Sequence, residues 1–378
     1  MQISKGYNYS YWEIKSYFKK FDLIVVGSGI VGLSTAISFS EKNKKASILI
    51  LERGIMPDGA STKNAGFVCF GSAGELLDDL KYDSEENVLS ILKMRFEGLQ
   101  MLRKRLGDKN INLQYHGGYE LFDNKSEYEF CLENLPRLNK IIKEQLGLRD
   151  CFRETKKYRN DFGNLHGIIF NPYEGQLDTA MMMKNLALMA HKKNIVQLHN
   201  ITVKKIKDTG NTVELISNAG VFKAAKVVVA TNGFASQLLK LRSVKPARAQ
   251  VLITKPIPHL KIKGTFHLDK GYYYFRNIDE RILFGGGRNL DFESETTFEP
   301  GITKKIQYDL EKKLREIILP STKFEIEQRW SGIMGVGNEK TPIIKNVSPN
   351  VLVAVRMGGM GIAIGSRVGN NAADQVMK

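Results

Sequence analysis

The chain has 378 residues, of which 42% are hydrophobic, and it carries a formal net charge of +16. This length suffices for a large core and predicts two domains, and the hydrophobic share is ordinary for a soluble globular protein. The first twenty residues contain no apolar core, so we expect no secretory signal, and we expect no transmembrane segment. Three cysteines, an odd number without C-x-x-C spacing, predict a reducing, cytoplasmic location and no structural metal, and six histidines without ligand spacing predict no metal site.

The basic charge has two interpretations. A positive charge of this size can attract nucleic acid, acidic substrates or an anionic membrane. Here, however, the lysines are scattered, and their small clusters fall mostly at predicted helix ends and loops. We therefore favour a solvated, lysine-rich surface over a dedicated RNA-binding face.

Residues 1–20 precede the first predicted strand. Trp12, Ile14, Tyr17 and Phe18 lie within a turn or two of one another, which predicts a short helix packed on the protein surface. A role as a membrane anchor is less favoured because the stretch is short.

The next stretch, residues 21–36, organises the rest of the sequence. A buried strand is predicted first, followed by a glycine-rich turn and a helix of small residues. Gly27 permits the tight turn, Gly29 lets the backbone approach a pyrophosphate, and Gly32 lets the helix pack on the strand. Glu52, at the end of the second predicted strand, can accept hydrogen bonds from a ribose diol. This order predicts dinucleotide binding, and the three glycines disfavour a membrane-like helix over the same stretch.

A run of small and hydroxyl-bearing residues follows at 59–66. Such a run suits a backbone pressed against a flat ligand. Ser61 and Asn64 can either cap the helix that follows or bind a phosphate, and the sequence leaves both possibilities open.

The remaining elements alternate before they become antiparallel. Helices are predicted at 76–80, 84–107, 126–146, 178–193, 302–318 and from about 361 to 377, and strands at 113–122, 165–170, 195–198, 201–206, 212–216, 226–230, 249–254, 264–268, 271–276, 281–287, 323–332 and 351–355. This order predicts an α/β fold in which a Rossmann-type nucleotide-binding domain carries an inserted antiparallel-sheet substrate domain. The nucleotide-binding domain would comprise residues 1–82, 150–240 and 325–378, and the substrate-binding domain residues 83–149 and 241–324.

Five segments in this order resemble the flavin-dependent D-amino-acid oxidase-like superfamily, which includes glycine oxidase, sarcosine oxidase and D-amino-acid dehydrogenases. The resemblance extends over nearly the whole chain and implies FAD rather than NAD. The segments are the fingerprint Gly27, Gly29, Gly32 and Glu52; the run Gly59 to Gly66; the turn Ala230 to Gly233; the strand start Pro246 to Gln250; and the closing pair Trp330-Ser331-Gly332 and Gly358 to Gly361.

The resemblance and the fingerprint together place one set of residues against FAD. These are Gly27, Ser28, Gly29, Ile30, Val31, Gly32, Glu52, Arg53, Ala60, Ser61, Thr62, Asn64, Ala65, Gly66, Val203, Thr231, Asn232, Gly233, Gly358, Gly359, Met360, Gly361 and Ile362. The N–H groups at the start of the last helix can stabilise the negative charge of a reduced flavin.

The sequence departs from the resemblance where relatives bind a substrate carboxylate. Relatives that oxidise amino acids usually carry an arginine two residues after the glycine of W-x-G, but this chain has Met334 there. Methionine cannot form a bidentate pair with a carboxylate. Arg276, Arg329 or Arg356 could compensate, so the substrate is either an amine or an amino acid held differently.

A second departure concerns the attachment of the flavin. Some relatives tether it through a cysteine near the C-terminal motifs or a histidine in the small-residue run. No cysteine follows Cys151 here, and Thr62 and Lys63 stand in that run. We therefore predict non-covalent FAD.

The chemistry that follows is oxidation of a C–N bond in a small amine or amino acid by hydride transfer to flavin N5. Alternation along the predicted strand puts Tyr272, Tyr274 and Arg276 on one face, and Tyr274 and Arg276 are the predicted catalytic residues, against a packing role. Two alternatives stay open: a flavin-dependent tRNA-modifying oxidase acting on a carboxymethylaminomethyl uridine, and a non-catalytic flavin-binding module. The sequence leaves the electron acceptor open.

Overall fold

The computed structural model describes residues 8–378. Its strands are β1 Lys20–Val26, β2 Ile48–Leu51, β3 Phe67–Val68, β4 Gly118–Phe122, β5 Arg153–Glu154, β6 Gly167–Asn171, β7 Gly175–Gln176, β8 Val196–Leu198, β9 Val203–Asp208, β10 Val213–Ser217, β11 Val221–Val229, β12 Lys245–Thr254, β13 Thr265–Leu268, β14 Tyr273–Ile278, β15 Arg281–Gly286, β16 Ile326–Val336, β17 Ile343–Ser348 and β18 Val351–Val355. Its helices are α1 Tyr11–Tyr17, α2 Ile30–Lys42, α3 Ala73–Tyr82, α4 Glu85–Leu106, α5 Lys125–Leu146, α6 Thr179–Lys192, α7 Ala235–Leu239, α8 Lys304–Lys313 and α9 Gly361–Val376.

The first sheet has the order β17-β18-β11-β1-β2-β8, and β9 and β10 extend it from β11. The strand β1 lies inside it and pairs in parallel with both β2 and β11. Because β1 is covered on both faces, its sequence is a nearly continuous apolar run rather than an alternating one. Leu23 and Val25 face the helices, whereas Ile24 and Val26 face the core beneath β10 and α7.

Close packing of helices on this sheet depends on glycines, which have no side chain. A Cβ at position 32 would lie 1.9 Å from the carbonyl oxygen of Gly27, so α2 can approach β1 only with glycine there. A Cβ at position 369 would lie 2.5 Å from Cβ of Ser34, which brings α9 directly against α2. The first and last strand–helix units of the chain are therefore neighbours, as the sequence predicted.

The second sheet has the order β16-β12-β15-β14-β13-β4-β6-β5. Its pairs are antiparallel except for β13 and β4, which run in parallel. One face is aromatic: the rings of Phe266 and Phe275 stack with centroids 4.5 Å apart, and Tyr119 stacks on Phe266 at 5.0 Å. This face packs against α8. The predicted α/β architecture with a second sheet is confirmed.

The strand pairing divides the chain between the two sheets differently from the domain ranges predicted from the sequence. Strands β5 and β6 fall in the range 150–240, and β16 falls in 325–378, yet all three pair in the second sheet. Helix α4, from the range 83–149, instead packs on α9, where a Cβ at Gly98 would lie 2.1 Å from the carbonyl oxygen of Ala363. Hydrophobic periodicity identifies a strand but carries no information about which sheet it joins.

The predicted N-terminal helix is present as α1. Ser10 and Glu13 form a reciprocal capping box at its start. Phe18, just after it, stacks on Phe222 at 4.8 Å, while Trp12 is 70% exposed. Before the helix, the Tyr9 hydroxyl donates to the carbonyl of Ala219 at 2.9 Å, so the segment is held on both sides of α1. Within residues 8–378, no helix is both long enough and apolar enough to cross a membrane.

Candidate active site

A cavity of about 1250 Å³ is lined by residues of both sheets and by the N-termini of α2 and α9. Typical pockets for small ligands measure about 300–1,000 Å³, so this one has room for a dinucleotide together with a small substrate. All but four of the predicted cofactor-binding residues line it. The exceptions are Ser28, Gly32, Thr62 and Gly233, which lie behind the wall and shape it.

Glu52 is buried at the nucleotide end. Its Oε2 accepts hydrogen bonds from the backbone N–H and the hydroxyl of Ser28, at 2.9 and 2.8 Å, and its Oε1 accepts from the N–H of Gly54. These bonds fix the carboxylate at the end of β2, where it lines the cavity. Beside it, the Arg53 guanidinium carbon lies 3.7 Å from the ring centroid of Phe234, a cation–π contact.

The N-terminus of α2 opens onto the same cavity. Its N-cap, Gly29, has no side chain to satisfy the first N–H groups, and the Ser61 hydroxyl accepts from the N–H of Ile30 at 3.0 Å. One of the first N–H groups of α2 is therefore satisfied within the chain, while the partial positive charge of the terminus suits the oxygens of a pyrophosphate. Asn64, by contrast, bonds within its own turn, donating to the carbonyl of Ser61 and accepting from the N–H of Gly66.

The start of α9 forms the opposite end of the nucleotide site. Gly358 and Gly359 have φ of 57° and 87°, a left-handed turn that glycine adopts readily. Asn232 holds this turn, because its Oδ1 accepts from the N–H groups of Arg356 and Met357. Within the described range 8–378, no side chain caps α9, so its first N–H groups are available to a ligand. Two helix N-termini therefore face one cavity, and their partial positive charges suit an anionic dinucleotide.

One row of residues crosses the second sheet on its cavity face. In register from β4 to β16, the row is Glu120, His267, Tyr274, Gly285, Val251 and Trp330. The Tyr274 ring lies over Gly285, where a Cβ would come within 2.8 Å of it, and it meets Phe67 edge-on at 5.7 Å. Burial raises the pKa of the Tyr274 hydroxyl to about 12, so it stays protonated.

Arg276 shares the face of Tyr274 but does not line the cavity. Its Nη1 donates to the carbonyl of Leu177 at 3.0 Å, and its guanidinium lies against Gly66. Burial lowers its pKa to about 10. Tyr274 is therefore in reach of a substrate, while Arg276 lies behind the cavity wall, and its predicted contact with substrate is not supported by this position.

The other two arginines suggested as replacements for the missing carboxylate ligand are also engaged. Arg329 pairs with Glu311 at 2.8 Å, and Arg356 pairs with Glu339 at 2.7 Å. The sequence missed a third candidate, Arg288, which lines the cavity just after β15. Only the Gly-Gly-Gly-Arg order at the end of a predicted hairpin strand could have indicated it.

Arg288 forms no ion pair within residues 8–378. The comparable cations of the wall do: Arg95 pairs with Glu75, Lys270 with Glu127 and Lys340 with Glu75. The guanidinium carbon of Arg288 lies 4.6 Å from the centroid of Phe292, which orients the fork without neutralising it. Burial lowers the pKa of Arg288, but the group remains a cation at neutral pH.

A buried polar cluster adjoins the same row. His267 Nε2 lies 2.9 Å from Glu174 Oε2, and Glu120 accepts from the Ser72 hydroxyl and the N–H of Gly74. Burial, only partly offset by these two donors, raises the pKa of Glu120 to about 7. Sequence spacing could not reveal the cluster, because its members come from distant segments.

Cys69 also belongs to this cluster. Its sulfur and the ligand atoms of Glu174 and His267 lie within 4.8 Å of one another. Burial, followed by the charge of Glu174, raises the pKa of the Cys69 thiol well above its usual value, so the thiolate that a metal requires is disfavoured. The absence of a metal stays a prediction.

This architecture, a dinucleotide site joined to a second sheet that covers its far end, defines an FAD-dependent oxidoreductase. The chain belongs to the DAO family of FAD dependent oxidoreductases, whose model matches residues 22–375. The protein therefore uses FAD.

Individual relatives are distant but cover most of the chain. The sequence is 24% identical over 325 residues to glycine oxidase of Geobacillus kaustophilus, covering 83% of this chain and 81% of that protein. It is 21% identical over 373 residues to the probable oxidoreductase OrdL of Haemophilus influenzae, covering 94% and 83%.

Solved structures show the same fold. L-proline dehydrogenase from P. horikoshii superposes with a TM-score of 0.76 at 17% identity, covering 95% of this chain and 94% of that one. Glycine oxidase from Bacillus cereus superposes with a TM-score of 0.76 at 19% identity, covering 95% of each chain.

Proposed function

We propose that this protein oxidises the C–N bond of a small amine or amino acid, with hydride transfer from the carbon next to nitrogen to flavin N5. FAD supplies the two-electron acceptor, and the chain binds and orients the substrate and excludes water. The observation that carries the proposal is that His267, Tyr274 and Val251, which share one row of the second sheet, wall the cavity beyond the nucleotide site. Relatives named glycine oxidase and L-proline dehydrogenase support the substrate class.

Arg288 favours a substrate with a carboxylate over a simple amine. An arginine fork binds carboxylates in two parallel hydrogen bonds, and this one forms no ion pair with a carboxylate among residues 8–378. Its place on the wall, near Tyr272, would hold an anionic group at the mouth while the amine points inward.

The test is anaerobic mixing of the holoenzyme with a panel of glycine, N-methylglycine, D-alanine, L-proline, benzylamine and 1,4-diaminobutane. We expect the amino acids to bleach the flavin absorbance fastest. Bleaching by the two amines without carboxylates alone would overturn the assigned role of Arg288. Photoreduction without bleaching by any compound would overturn the function and favour the non-catalytic flavin-binding module.

The charge of the cavity does not favour the tRNA-modifying alternative. Seven lysines and arginines line it against six aspartates and glutamates, so little of the net charge of +16 lies there. An RNA backbone requires a cationic surface around the entrance. We therefore retain small molecules as the substrate class.

Non-covalent attachment of FAD remains our proposal. Cys69 lines the cavity, but its thiol is buried and its raised pKa makes it a poor nucleophile. Acid precipitation of the holoenzyme should leave a colourless pellet and a yellow supernatant. A yellow pellet would contradict the proposal.

A further inference from the structure

An acid–base pair lies buried at the substrate end of the cavity and takes no part in the nucleotide site. His267 lines the cavity with only 8% of its surface exposed, and Glu174 beside it is 1% exposed. Among residues 8–378, no lysine or arginine pairs with Glu174, so His267 is its only cationic partner. A buried carboxylate without a counter-charge is costly, which ties the charge of Glu174 to a proton on the imidazole.

The fold provides a dedicated position for Glu174. A Cβ at Gly118 would lie 2.1 Å from its Oε2, so the carboxylate occupies the space that a side chain on β4 would fill. Thr265 Oγ1 lies 3.3 Å from Oε2, and Asn171 Nδ2 lies 3.4 Å from Oε1. The carboxylate is thereby fixed, and it fixes the orientation of the His267 ring.

The second ring nitrogen of His267 is available to a ligand. Glu174 accepts the Nε2–H, so Nδ1 carries the lone pair when the imidazole is neutral. Within residues 8–378, nothing donates a hydrogen bond to Nδ1. The ring stands next to Tyr274 in the cavity-facing row and packs at 5.4 Å from Phe67. The ring nitrogen that does not bond Glu174 is therefore unpaired among the described residues, and it belongs to a side chain that lines the cavity beside Tyr274.

We propose that His267 takes a proton from the ammonium group of the substrate before the C–H bond breaks, with Glu174 as its positioning residue. This inference rests on the proposed function. Amines have pKa values of roughly 8–10, so at neutral pH the substrate arrives protonated and lacks the lone pair that assists hydride loss from the adjacent carbon.

The proton transfer requires only the substrate and His267, with no further reactant. One N–H bond of the ammonium breaks, its electron pair stays on the substrate nitrogen, and the proton goes to Nδ1 of His267 in its neutral form, which is populated above the pKa of the pair. The imidazolium that forms then pairs with Glu174, so the step completes an ion pair instead of leaving an isolated buried charge.

The charged and titratable groups around His267 favour this step. Glu174 faces the ring from the segment after β6, Glu120 from β4, Glu75 from α3, Cys69 from the segment after β3, and Tyr274 from β14. Burial alone would lower the pKa of His267, but the charge and hydrogen bond of Glu174, with Glu120 and Glu75, raise it above 6.5. A more basic imidazole competes better for the proton of an amine.

The test is the pH dependence of anaerobic flavin reduction in the holoenzyme, using whichever compound of the panel reduces the wild type fastest. In the wild type, the rate constant should rise with pH through the pKa of the pair. In H267Q it should fall about 10²-fold at pH 7, a typical contribution of general base catalysis, and approach the wild-type value above the pKa of the free amine. In E174Q the rising limb should move to lower pH, because the carboxylate no longer raises the pKa of the imidazole.

His166→Gln is the matched control, since His166 is exposed and does not line the cavity, and its profile should equal that of the wild type. A loss in H267Q of equal size at every pH, or no loss, would overturn this inference alone. No reduction of the wild-type flavin by any amine would overturn the proposed function and this inference with it.

A second readout does not depend on turnover. In ¹⁵N-histidine-labelled holoenzyme, NMR titration should give His267 a pKa above 6.5, and E174Q should lower it. Because glutamine preserves the shape of Glu174, this comparison holds even if H267Q folds poorly. An unchanged pKa in E174Q would contradict the positioning role.

Discussion

At the nucleotide end of the cavity, the groups offered to a ligand are mostly backbone N–H groups at two helix termini, and Glu52 is the main charged side chain. At the substrate end, they are side chains from separate strands and loops, such as His267, Tyr274 and Arg288. A backbone site is encoded by glycines and short spacing, whereas a side-chain site is encoded by sheet register. The two ends should therefore respond differently to mutation.

The largest effect is expected at the nucleotide end, from Gly32→Ala. The added Cβ would lie 1.9 Å from a backbone oxygen of the turn that approaches the pyrophosphate, and backbone cannot move aside as a side chain can. Loss of most bound flavin and a lower unfolding midpoint are expected, measured by absorbance and calorimetry. Gly59→Ala, where a Cβ meets nothing within 4 Å, should keep its unfolding midpoint; equal losses in both variants would refute the argument.

Glu120→Gln should change stability rather than cofactor content. The pKa of Glu120 is raised by burial from 4.5 to about 7, so the unfolded chain loses its proton at lower pH than the folded chain does. Stability therefore falls as pH rises from about 4.5 to 7, by about 3 kcal/mol, and the variant should lack this fall. Urea unfolding at several pH values measures it.

The control for this experiment is Glu129→Gln, because that carboxylate is exposed on α5. It should leave the pH dependence of the free energy of unfolding unchanged. If the free energies of unfolding of Glu120→Gln and the wild type fall in parallel with pH, Glu120 is not the buried titrating group.

Substitution of two arginines, one at each end of the cavity, should affect substrate binding and FAD binding separately. Arg288→Met should raise KM for carboxylate-bearing substrates about 10- to 100-fold, the value of a charged hydrogen bond, without loss of flavin. Arg53→Met, which removes the contact with Phe234, should weaken FAD binding and leave KM at saturating FAD unchanged. If Arg288→Met instead lost flavin and kept its KM, the assignment of the two ends would be reversed.

The smallest effect is expected outside both ends. Trp12→Ser changes a side chain that is 70% exposed on α1, so the free energy of unfolding should change by less than about 0.5 kcal/mol. Flavin content and turnover should stay at wild-type values. A clear loss of either would mean that α1 contacts a functional region.

The sequence was most informative where neighbours along the chain are neighbours in space. Gly27, Gly29 and Glu52 belong to one β-α-β unit, so their spacing alone located the nucleotide end. Tyr274 was found because alternation defines the faces of a strand. Arg276 was predicted by the same rule, which orients a side chain but cannot show that Gly66 lies between it and the cavity.

Register explains most of what the sequence missed. His267 stands beside Tyr274 because β13 and β14 pair in one register out of several, and no local signal specifies which. Glu174 joins His267 only after Gly118 leaves room for it on β4. The assignment of β5, β6 and β16 to the second sheet depends on pairing in the same way.

The contact between α2 and α9 has a consequence for synthesis of the protein. The helix that begins the cofactor site is made long before the helix that completes it, because α2 ends at Lys42 and α9 begins at Gly361. Until α9 leaves the ribosome, α2 lacks the partner that packs at Gly369, and the site has one helix terminus instead of two. The nascent chain therefore cannot acquire tightly bound FAD before α9 has emerged, and flavin capture depends on a contact between two segments that are far apart in the sequence.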